Sequence, residues 1–339
     1  MDSDSSEDEE LALLTLVCGD RPCLKRFNLD QPATAPVWKS KFRYAKDDIQ
    51  ALIVHFRLPD PFPTRQRYHV SAFEALCIFL RRMAYPARLD DLKNLVGREP
   101  EVISSISNSV RDYLNHTFSH LLLFDSNRLT EDTLQAYSRA VFVKGAPLHT
   151  CVGFIDGTVR VMCRPMQNQK YVYNGHKRKH ALKYQSVIAP DGIIIHLRGP
   201  YAGTLHDAFI LRESGLLEAA AEHLKFGGKH DIFYGDPAYG QQDHIIAPFK
   251  GALLTEDEQE FSKRMSEVRV SVEWGFGKIV RYWAFVDFAK NQKLRLQRLG
   301  KMYAMAAFLS NVDTCVYGSQ TSKFFGLAPL SLSEYLHSG

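Results

Sequence analysis

The sequence predicts an α/β protein in which a helical region comes before a mixed β-sheet and its helices. Between residues 71 and 118 the apolar side chains recur at helical spacing. After Thr150, several apolar runs have the length of strands and end at turn residues, and the predicted order of elements is β-β-β-α-β-α. Together these two observations give the fold class.

The bulk composition is that of a packed globular protein. The chain has 339 residues, enough for one large domain or two ordinary ones, and 45% of them are apolar. Its 42 Lys and Arg residues outnumber its 38 Asp and Glu residues, and the resulting charge of +4 is by itself weak evidence for an acidic partner. No apolar run approaches the ~20 residues that cross a bilayer, so no membrane contact is expected.

The first segment, residues 1–10, reads MDSDSSEDEE and is predicted to be a disordered acidic tail. It lacks the basic start and apolar core of a signal peptide, so an intracellular protein is expected. Six cysteines are scattered without a CxxC pair and are predicted to be reduced thiols. Cys18 and Cys23 could form half of a metal site, but no second pair of ligands follows them.

Residues 11–60 are predicted to form an N-terminal extension, and residues 61–145 a helical unit of the helix-turn-helix kind. In that unit Ser71 is placed to cap a helix, Gly97 to end a short one and Pro100 to begin a longer one. The last helix of such a unit enters the major groove of DNA. The alternative is an ordinary three-helix bundle, because acids nearly balance bases through this segment.

Three acids are candidates for a shared site. Asp156 follows the apolar run in CVGFIDG and Asp236 the one in FYGDPAYG, each at the predicted end of a strand. Glu273 lies in a predicted long helix, with Arg269 one turn before it. Carboxylates on separate elements repel one another unless cations lie between them, and Mg²⁺ prefers such oxygen ligands. Because two such ions can assist both attack on a phosphodiester and departure of its leaving oxygen, the acids indicate phosphoryl transfer on nucleic acid.

Each acid also has a purely structural interpretation. Asp156 before a glycine and Asp236 before a proline could each shape a turn. Glu273 could be a surface residue paired with Arg269. Taken singly, these explanations are the stronger ones, whereas three acids in this order of elements favour a shared site.

Five ordered motifs resemble those of a known family. They are FIDGT, YNGHKRKHALKYQSVIAPDGIII, GPYAGTLHDAFIL, GDPAYG and FSKRMSEVRVSVEWGFGKIVRYW. Over about residues 65–310 the chain resembles the PIF/Harbinger group of DDE transposases, including the Harbinger transposase-derived nucleases of animals. The resemblance implies a ribonuclease-H-like nuclease domain, with a mixed five-stranded sheet flanked by helices, over residues 146–312. Residues 313–339 are then a C-terminal tail.

The resemblance also implies which residues do the chemistry. The catalytic, metal-binding triad falls on Asp156, Asp236 and Glu273, which are expected to hold two Mg²⁺ ions, with Mn²⁺ as a substitute. Asp207 in LHDAFIL matches a family motif too, and it is either the N-cap of the following helix or an accessory metal or DNA contact. Arg269 is a second accessory candidate.

The chain departs from the family pattern at two positions. An asparagine common ahead of the glutamate is Ser262 here, and a lysine common after the FG pair is displaced to Lys278. Both departures bear on how substrate is positioned and leave the triad unchanged.

Two basic stretches are candidates for contact with DNA phosphates. The first is GHKRKHALK, whose histidines could alternatively hold a metal, although solvated clusters of bases are far commoner. The second is KNQKLRLQRLGK, where near-helical spacing predicts one basic face. The residues predicted to bind DNA are Lys177, Arg178, Lys179, Lys183, Lys278, Arg281, Lys293, Arg295 and Arg298.

The predicted function is a DDE-type DNA endonuclease and transposase that cuts phosphodiester bonds at element ends and transfers the 3′ end to target DNA. It is expected in the nucleus, or in the cytoplasm when a partner is lacking. The resemblance also implies that the protein forms a homo-oligomer and acts with a separate Myb-like partner protein. The alternative is a domesticated DNA-binding or chromatin-adaptor protein that does not cut, because a fold and its residues do not guarantee activity.

Overall fold

Six helices come before the first strand in the computed structural model, which describes residues 34–226 and 229–337. They are α1 (Ala35–Phe42), α2 (Lys46–His55), α3 (Ala72–Ala84), α4 (Leu89–Val96), α5 (Pro100–Phe118) and α6 (Glu131–Val143). A 3-10 turn at Ser119–Leu122 follows α5. The predicted acidic tail, the first part of the predicted extension, and Cys18 and Cys23 lie outside the described residues.

The ends of these helices follow local signals in the sequence. At the start of α3 the Ser71 hydroxyl accepts a hydrogen bond from the backbone N–H of Glu74 at 3.2 Å. α4 ends at Gly97, whose φ of 62° is left-handed, and α5 begins with Pro100. All three predicted boundaries are confirmed. α3 and α4 both pack against α5, while a DNA-binding role for these helices stays a prediction.

The sheet consists of three long strands and three short ones. β1 (Cys151–Val161) pairs with β3 (Lys179–Ile188), which pairs in turn with β4 (Ile194–Ala202). On its other edge β1 pairs with β7 (Ile232–Tyr234), which pairs with β8 (Ile245–Ile246). The spatial order is β4-β3-β1-β7-β8, and β3 is antiparallel to both of its neighbours whereas β7 is parallel to both of its own.

The predicted mixed sheet flanked by helices is confirmed, with one difference in strand number. The two-residue strand β2 (Tyr173–Asn174) also pairs with β3 and makes the sheet six-stranded instead of five-stranded. Outside it, β5 (Lys225–Phe226) and β6 (Lys229–His230) pair with each other. The order of main elements after Thr150, β-β-β-α-β-α, is the predicted one.

The helices of this region are a short α7 (Gln169–Val172), then α8 (Asp207–Glu213), α9 (Leu216–His223), α10 (Glu256–Tyr282), α11 (Leu299–Tyr317), α12 (Gln320–Phe325) and α13 (Leu332–His337). A capping box opens α10, since Thr255 and Glu258 exchange side-chain hydrogen bonds with each other's backbone N–H. The single helix that the predicted order places after the third strand is two helices here, because Gly215, at φ 73°, separates α8 from α9.

One hydrophobic core extends from the first helices into the sheet. The ring of Phe118 in α5 stacks on that of Phe308 in α11, with 5.2 Å between centroids. The Tyr44 hydroxyl donates to the Leu309 carbonyl at 2.9 Å. α11 continues through the predicted boundary at residue 312, and the domain boundaries stay predictions. Among the described residues, no helix is both long and apolar enough to cross a membrane.

Candidate active site

Asp156 lies within β1, not at its end. β1 continues to Val161 because β3 pairs with it throughout, with Asp156 opposite Ser186 and Gly157 opposite Gln185. The predicted strand end at Asp156 is therefore wrong, and so is the turn predicted at Gly157. What changes at Asp156 is burial, since the five residues from Cys151 are fully buried and Asp156 is partly exposed.

Gly157 allows a close approach of another acid. A Cβ atom at this position would lie 2.9 Å from Oδ1 of Asp207. A side chain there would push the Asp207 carboxylate away from β1. The glycine thus explains how Asp207, from the loop and helix after β4, comes next to Asp156.

The pairing of β1 with β7 brings Asp156 and Asp236 to the same level of the sheet. Phe154 and Tyr234 are register partners in this parallel pair, and each acid comes two residues after its partner residue. Side chains two residues apart on a strand point to the same face. The two carboxylates are therefore neighbours where β7 leaves the sheet at Gly235. Oδ1 of Asp236 also accepts a hydrogen bond from the N–H of Ala238 at 2.9 Å, so this acid shapes its turn as well.

α10 brings Arg269 and Glu273 to these acids. Nη2 of Arg269 lies 3.1 Å from Oδ1 of Asp156, and both side chains are largely buried, with exposed fractions of 19% and 17%. Glu273 is exposed, one turn further along the helix. The predicted alternative of an ion pair between Glu273 and Arg269 is not observed, because the described ion pair of Arg269 is with Asp156.

The electrostatics of Asp156 reflect this crowding. The pKa of its carboxyl is raised to about 6, with burial as the largest cause and the charges of Asp236 and Glu273 acting in the same direction. The Arg269 guanidinium and a hydrogen bond from the N–H of Gly157, at 2.8 Å, act in the opposite direction. The acids of β1, β7 and α10 thus affect one another's ionisation, as members of one site do.

Asp207 joins the group through Lys183 and Tyr239. It is the first residue of α8, His206 is the N-cap, and no side chain caps this helix, so the N-cap alternative for Asp207 is wrong. Its Oδ1 accepts a hydrogen bond from Nζ of Lys183 at 3.1 Å. The pKa of the Tyr239 hydroxyl is raised by burial first, and then by the charges of Asp207, Asp156 and Asp236.

Residues 155–311, which include Asp156, Asp236 and Glu273, match the family model described as DDE superfamily endonuclease. This segment, a little under half of the chain, is similar to the DDE superfamily endonucleases that the model describes. The match confirms the predicted relationship to DDE transposases of the Harbinger type. It covers the sheet from β1 onward and most of α11, and leaves α1–α6 outside.

A curated relative supports the same relationship over a longer segment. The chain is similar to the protein named "Protein ALP1-like" from Arabidopsis thaliana, with 21% identity over 229 residues. The similarity covers 64% of this chain and 55% of that protein, so the chain spans about half the length of the curated relative it matches. No solved structure matches the chain.

The acids of this site fit a divalent cation by their chemistry. Three carboxylates from three elements are hard oxygen donors of the kind that Mg²⁺ takes. The Tyr239 hydroxyl is buried beside them without a hydrogen-bond partner in the described residues. Across residues 34–226 and 229–337, however, no three His, Cys, Asp or Glu side chains are grouped as a metal site, which also applies to the histidines of GHKRKH. The cation that Asp156 contacts in this structure is Arg269.

The predicted DNA-binding residues divide into exposed side chains without an acidic partner among the described residues and side chains that form ion pairs. Lys177, Arg178 and Lys179 are exposed at the turn into β3, and Arg281, Lys293 and Arg295 are exposed after Glu273. Three others are engaged. Lys183 bonds Asp207 and Arg298 bonds Asp112, and Lys278 forms a 2.8 Å ion pair with the buried Asp313. Lys278 therefore serves the packing of α10 against α11.

The second basic stretch is not helical. Residues 293–298 form a loop between a 3-10 turn at Ala289–Asn291 and α11, which begins at Leu299. The predicted basic helical face is therefore wrong. The exposed basic residues of this loop nevertheless lie close together, between α5 and the residues that follow β1.

Tyr239 is the site residue that sequence reasoning missed. It belongs to the motif GDPAYG, three residues after Asp236. From sequence alone, a tyrosine three residues after Asp236 is equally explained by hydrophobic packing of the turn. Only the tertiary structure shows its hydroxyl among three acids.

Proposed function

We propose that this chain is a metal-dependent DNA endonuclease and transposase with a ribonuclease-H-like core. It would cut phosphodiester bonds at the ends of a mobile element and transfer the 3′ end to target DNA. The observation that carries the proposal is the register of β1 and β7, which aligns Asp156 with Asp236 beside Arg269 and Glu273 of α10. The match of residues 155–311 to the DDE superfamily endonuclease model supports the reaction class.

In this proposal Asp156, Asp236 and Glu273 hold two Mg²⁺ ions, for which Mn²⁺ substitutes. When bound, such ions supply Lewis-acid assistance to attack on the phosphodiester and to departure of the 3′ oxygen. Arg269 pairs with Asp156 in this structure, so its guanidinium would have to be displaced for Asp156 to hold a metal. Lys183 holds the Asp207 carboxylate in place, and the Tyr239 hydroxyl is free to donate a hydrogen bond to a neighbouring acid.

The remaining parts of the proposal concern partners and place. The exposed basic residues at 177–179 and in the loop 293–298 are proposed to contact DNA phosphates, and α3–α5 to contact DNA as a helix-turn-helix. A homo-oligomer, a Myb-like partner protein and a nuclear location complete the proposal. They rest on the family resemblance alone.

Nicking of supercoiled plasmid DNA tests the cutting activity. The parent is expected to nick DNA with Mg²⁺ or Mn²⁺ and to stop when a chelator is added. Asp156→Asn, Asp236→Asn and Glu273→Gln should each lower the rate by about a hundredfold or more, because each removes a charged ligand. The matched control is Glu267→Gln, an exposed acid of the same helix α10, which should cut like the parent.

A thermal-shift measurement tests metal binding without activity. Mg²⁺ at about 100 times its Kd should stabilise the parent by about 2.7 kcal/mol, because ligand bound only to the folded state shifts unfolding. Asp156→Asn should lose most of this stabilisation and Glu267→Gln should retain it. If neither Mg²⁺ nor Mn²⁺ changes the melting temperature of the parent, the metal assignment fails.

One observation favours a second function, a DNA-binding or chromatin-adaptor protein that does not cut. Asp156 already has a cationic partner in Arg269, and no metal-site grouping of three acids exists among the described residues. An adaptor would bind DNA equally well as the parent and as Asp156→Asn, with no nicking by either. That pair of results would replace the nuclease proposal.

A further inference from the structure

A basic cleft lies outside the acid site, between α3, α5 and the loop 293–298. Its volume is about 490 Å³. Four arginines line it, and Asp112 is its one lining carboxylate: the arginines are Arg65, Arg82, Arg111 and Arg298. Three positive charges of the lining are therefore unmatched.

Asp112 is itself shared among several cations. Arg111 holds both of its oxygens with Nη2, each at 3.0 Å. Arg298 approaches it at 3.3 Å and Lys301 at 3.5 Å. One carboxylate thus serves three basic side chains and has no capacity left to neutralise the rest of the cleft.

Arg82 is the most unusual member of the cleft. Its Nη1 atom is buried and makes no hydrogen bond within the described residues. Its guanidinium lies over the ring of Phe285, 5.4 Å from the centroid. Burial first, and then the like charge of Arg111, lower the pKa of Arg82 to about 10. A buried, unpaired cation destabilises a fold unless an anion completes it.

Neutral hydrogen-bonding groups of α5 lie beside these charges. Ser104, Ser105, Asn108 and Ser109 line the same cleft and recur at the helical spacing that puts them on one face. Hydroxyls and amides next to guanidinium groups are the donors that bind phosphate oxygens. The chemistry of the cleft therefore selects a phosphate-bearing ligand.

The positive charge continues beyond the cleft, which indicates an extended ligand. Leu296 lines both this cleft and a neighbouring one of about 440 Å³, where Arg164, Lys293 and Arg295 add three more bases. The neighbouring cleft adjoins the exit of β1, whose residue Val161 lies about 17 Å along the strand from Asp156, at ~3.3 Å per residue. The two adjoining clefts are lined by seven basic side chains, which is more than a compact phosphorylated metabolite can contact.

We propose that the cleft between α5 and the loop 293–298 binds the phosphate backbone of duplex DNA, with Arg82 and Arg111 as its inner contacts. The choice of DNA over other polyanions rests on the proposed function. The binding itself requires neither metal nor cutting. In this arrangement α5 forms one wall of the cleft, and its serines and Arg111 contact the DNA phosphates.

Fluorescence anisotropy with a labelled duplex of arbitrary sequence, measured in chelator over a series of salt concentrations, tests the proposal. Arg82→Gln and Arg65→Gln should each weaken binding about 3- to 10-fold and lower the slope of log K against log salt by about 1, because each removes one phosphate contact. Two unrelated sequences should be affected equally. The matched control is Arg139→Gln, an exposed arginine of α6, which should leave affinity and slope unchanged.

A melting curve without DNA separates binding from folding. Arg82→Gln removes a buried cation that lacks a partner, so it should melt at or above the temperature of the parent. If it unfolds instead, Arg65→Gln and Arg298→Gln, at the exposed rim, carry the binding test. Parental DNA affinity in the rim variants would overturn the proposal. A second result would also overturn it: ATP raises the melting temperature of the parent but not that of Arg82→Gln, while the two proteins bind DNA with the same affinity.

The two proposals fail in different ways. If the parent never nicks DNA but the cleft variants lose affinity, the nuclease proposal falls and the cleft stands. If the parent nicks DNA and the cleft variants bind it normally, the cleft assignment falls and the nuclease stands.

Discussion

At the scale of single residues, Arg269 and the N–H of Gly157 favour the ionised form of Asp156, whereas burial opposes it. Its pKa in the folded chain is about 6, above the ordinary value of 3.8. A carboxyl with a raised pKa binds its proton more tightly when folded, so its contribution to stability is present below the ordinary pKa and is lost as the pH rises through about 6. Ionised Asp156 therefore destabilises the metal-free protein at neutral pH.

The first prediction follows from this sign. Without metal, Asp156→Asn should be more stable than the parent by about 2–3 kcal/mol at about pH 8, and the difference should vanish below about pH 4. Urea unfolding in chelator across this pH range measures it. A matched control is Asp243→Asn, an exposed acid beyond β7, which should show no such pH dependence. A variant less stable than the parent at high pH would mean that the Arg269 ion pair outweighs burial.

At the scale of elements, α10 contains two glycines that face different surroundings. A Cβ atom on Gly275 would overlap Cδ1 of Ile188, a core residue of β3 with 1% exposure, so the glycine lets helix and sheet approach closely. A Cβ atom on Gly277 would have no neighbour within 4 Å. The same helix thus supplies a test position and its control.

The second prediction compares the two alanine variants. Gly277→Ala should stabilise the protein by about 0.5–1 kcal/mol, because alanine loses less backbone entropy than glycine in a helix. Gly275→Ala has the same advantage in backbone entropy, but it forces Ile188 to move in a packed core, which costs about 1–3 kcal/mol. This variant should therefore be less stable than the parent. Denaturant unfolding of both variants decides the matter. Equal effects of the two substitutions would contradict the close approach.

The elements differ in how far sequence predicts them. The cap at Ser71, the stop at Gly97 and the capping box at Thr255 depend on residues within one turn, so local patterns were sufficient. The extension of β1 beyond Asp156 depends on β3, a partner more than twenty positions away in the chain, so the local Asp-Gly signal was misleading. The loop 293–298 likewise carries a helical spacing of charges without being a helix.

The same division applies to the candidate site. Ordered motifs singled out Asp156, Asp236 and Glu273 as candidates, because such motifs and their order can be read from one sequence. The Arg269 contact, the approach of Asp207 past Gly157 and the buried hydroxyl of Tyr239 arise from tertiary packing and have no local signature. The unpaired Arg82 was missed for the same reason.

At the scale of the whole molecule, the early helices are part of the core of the sheet region. Phe118 of α5 stacks on Phe308 of α11, and Nε of Arg43 donates to the Tyr282 carbonyl at the end of α10 at 2.9 Å. These contacts join the N-terminal helices to two helices that follow the acids. Removing α1–α6 would therefore expose a large apolar surface.

The third prediction concerns the fragment of residues 146–312. It lacks α1–α6 and ends inside α11, so it should not unfold cooperatively, whereas the full chain should. Circular dichroism melts of the fragment and of the full chain provide the measurement. A cooperative transition of the fragment at the temperature of the parent would show that the nuclease region is an independent domain.

The unbroken length of α10 has a mechanical consequence for the acids. Arg269 and Glu273 lie one turn apart in a helix of 27 residues, so their backbones move together. A rotation or sliding of α10 that withdraws the Arg269 backbone from Asp156 therefore displaces the Glu273 backbone as well. The hydrogen bond from Arg43 to the Tyr282 carbonyl, at the C-terminal end of α10, opposes such a movement of the whole helix.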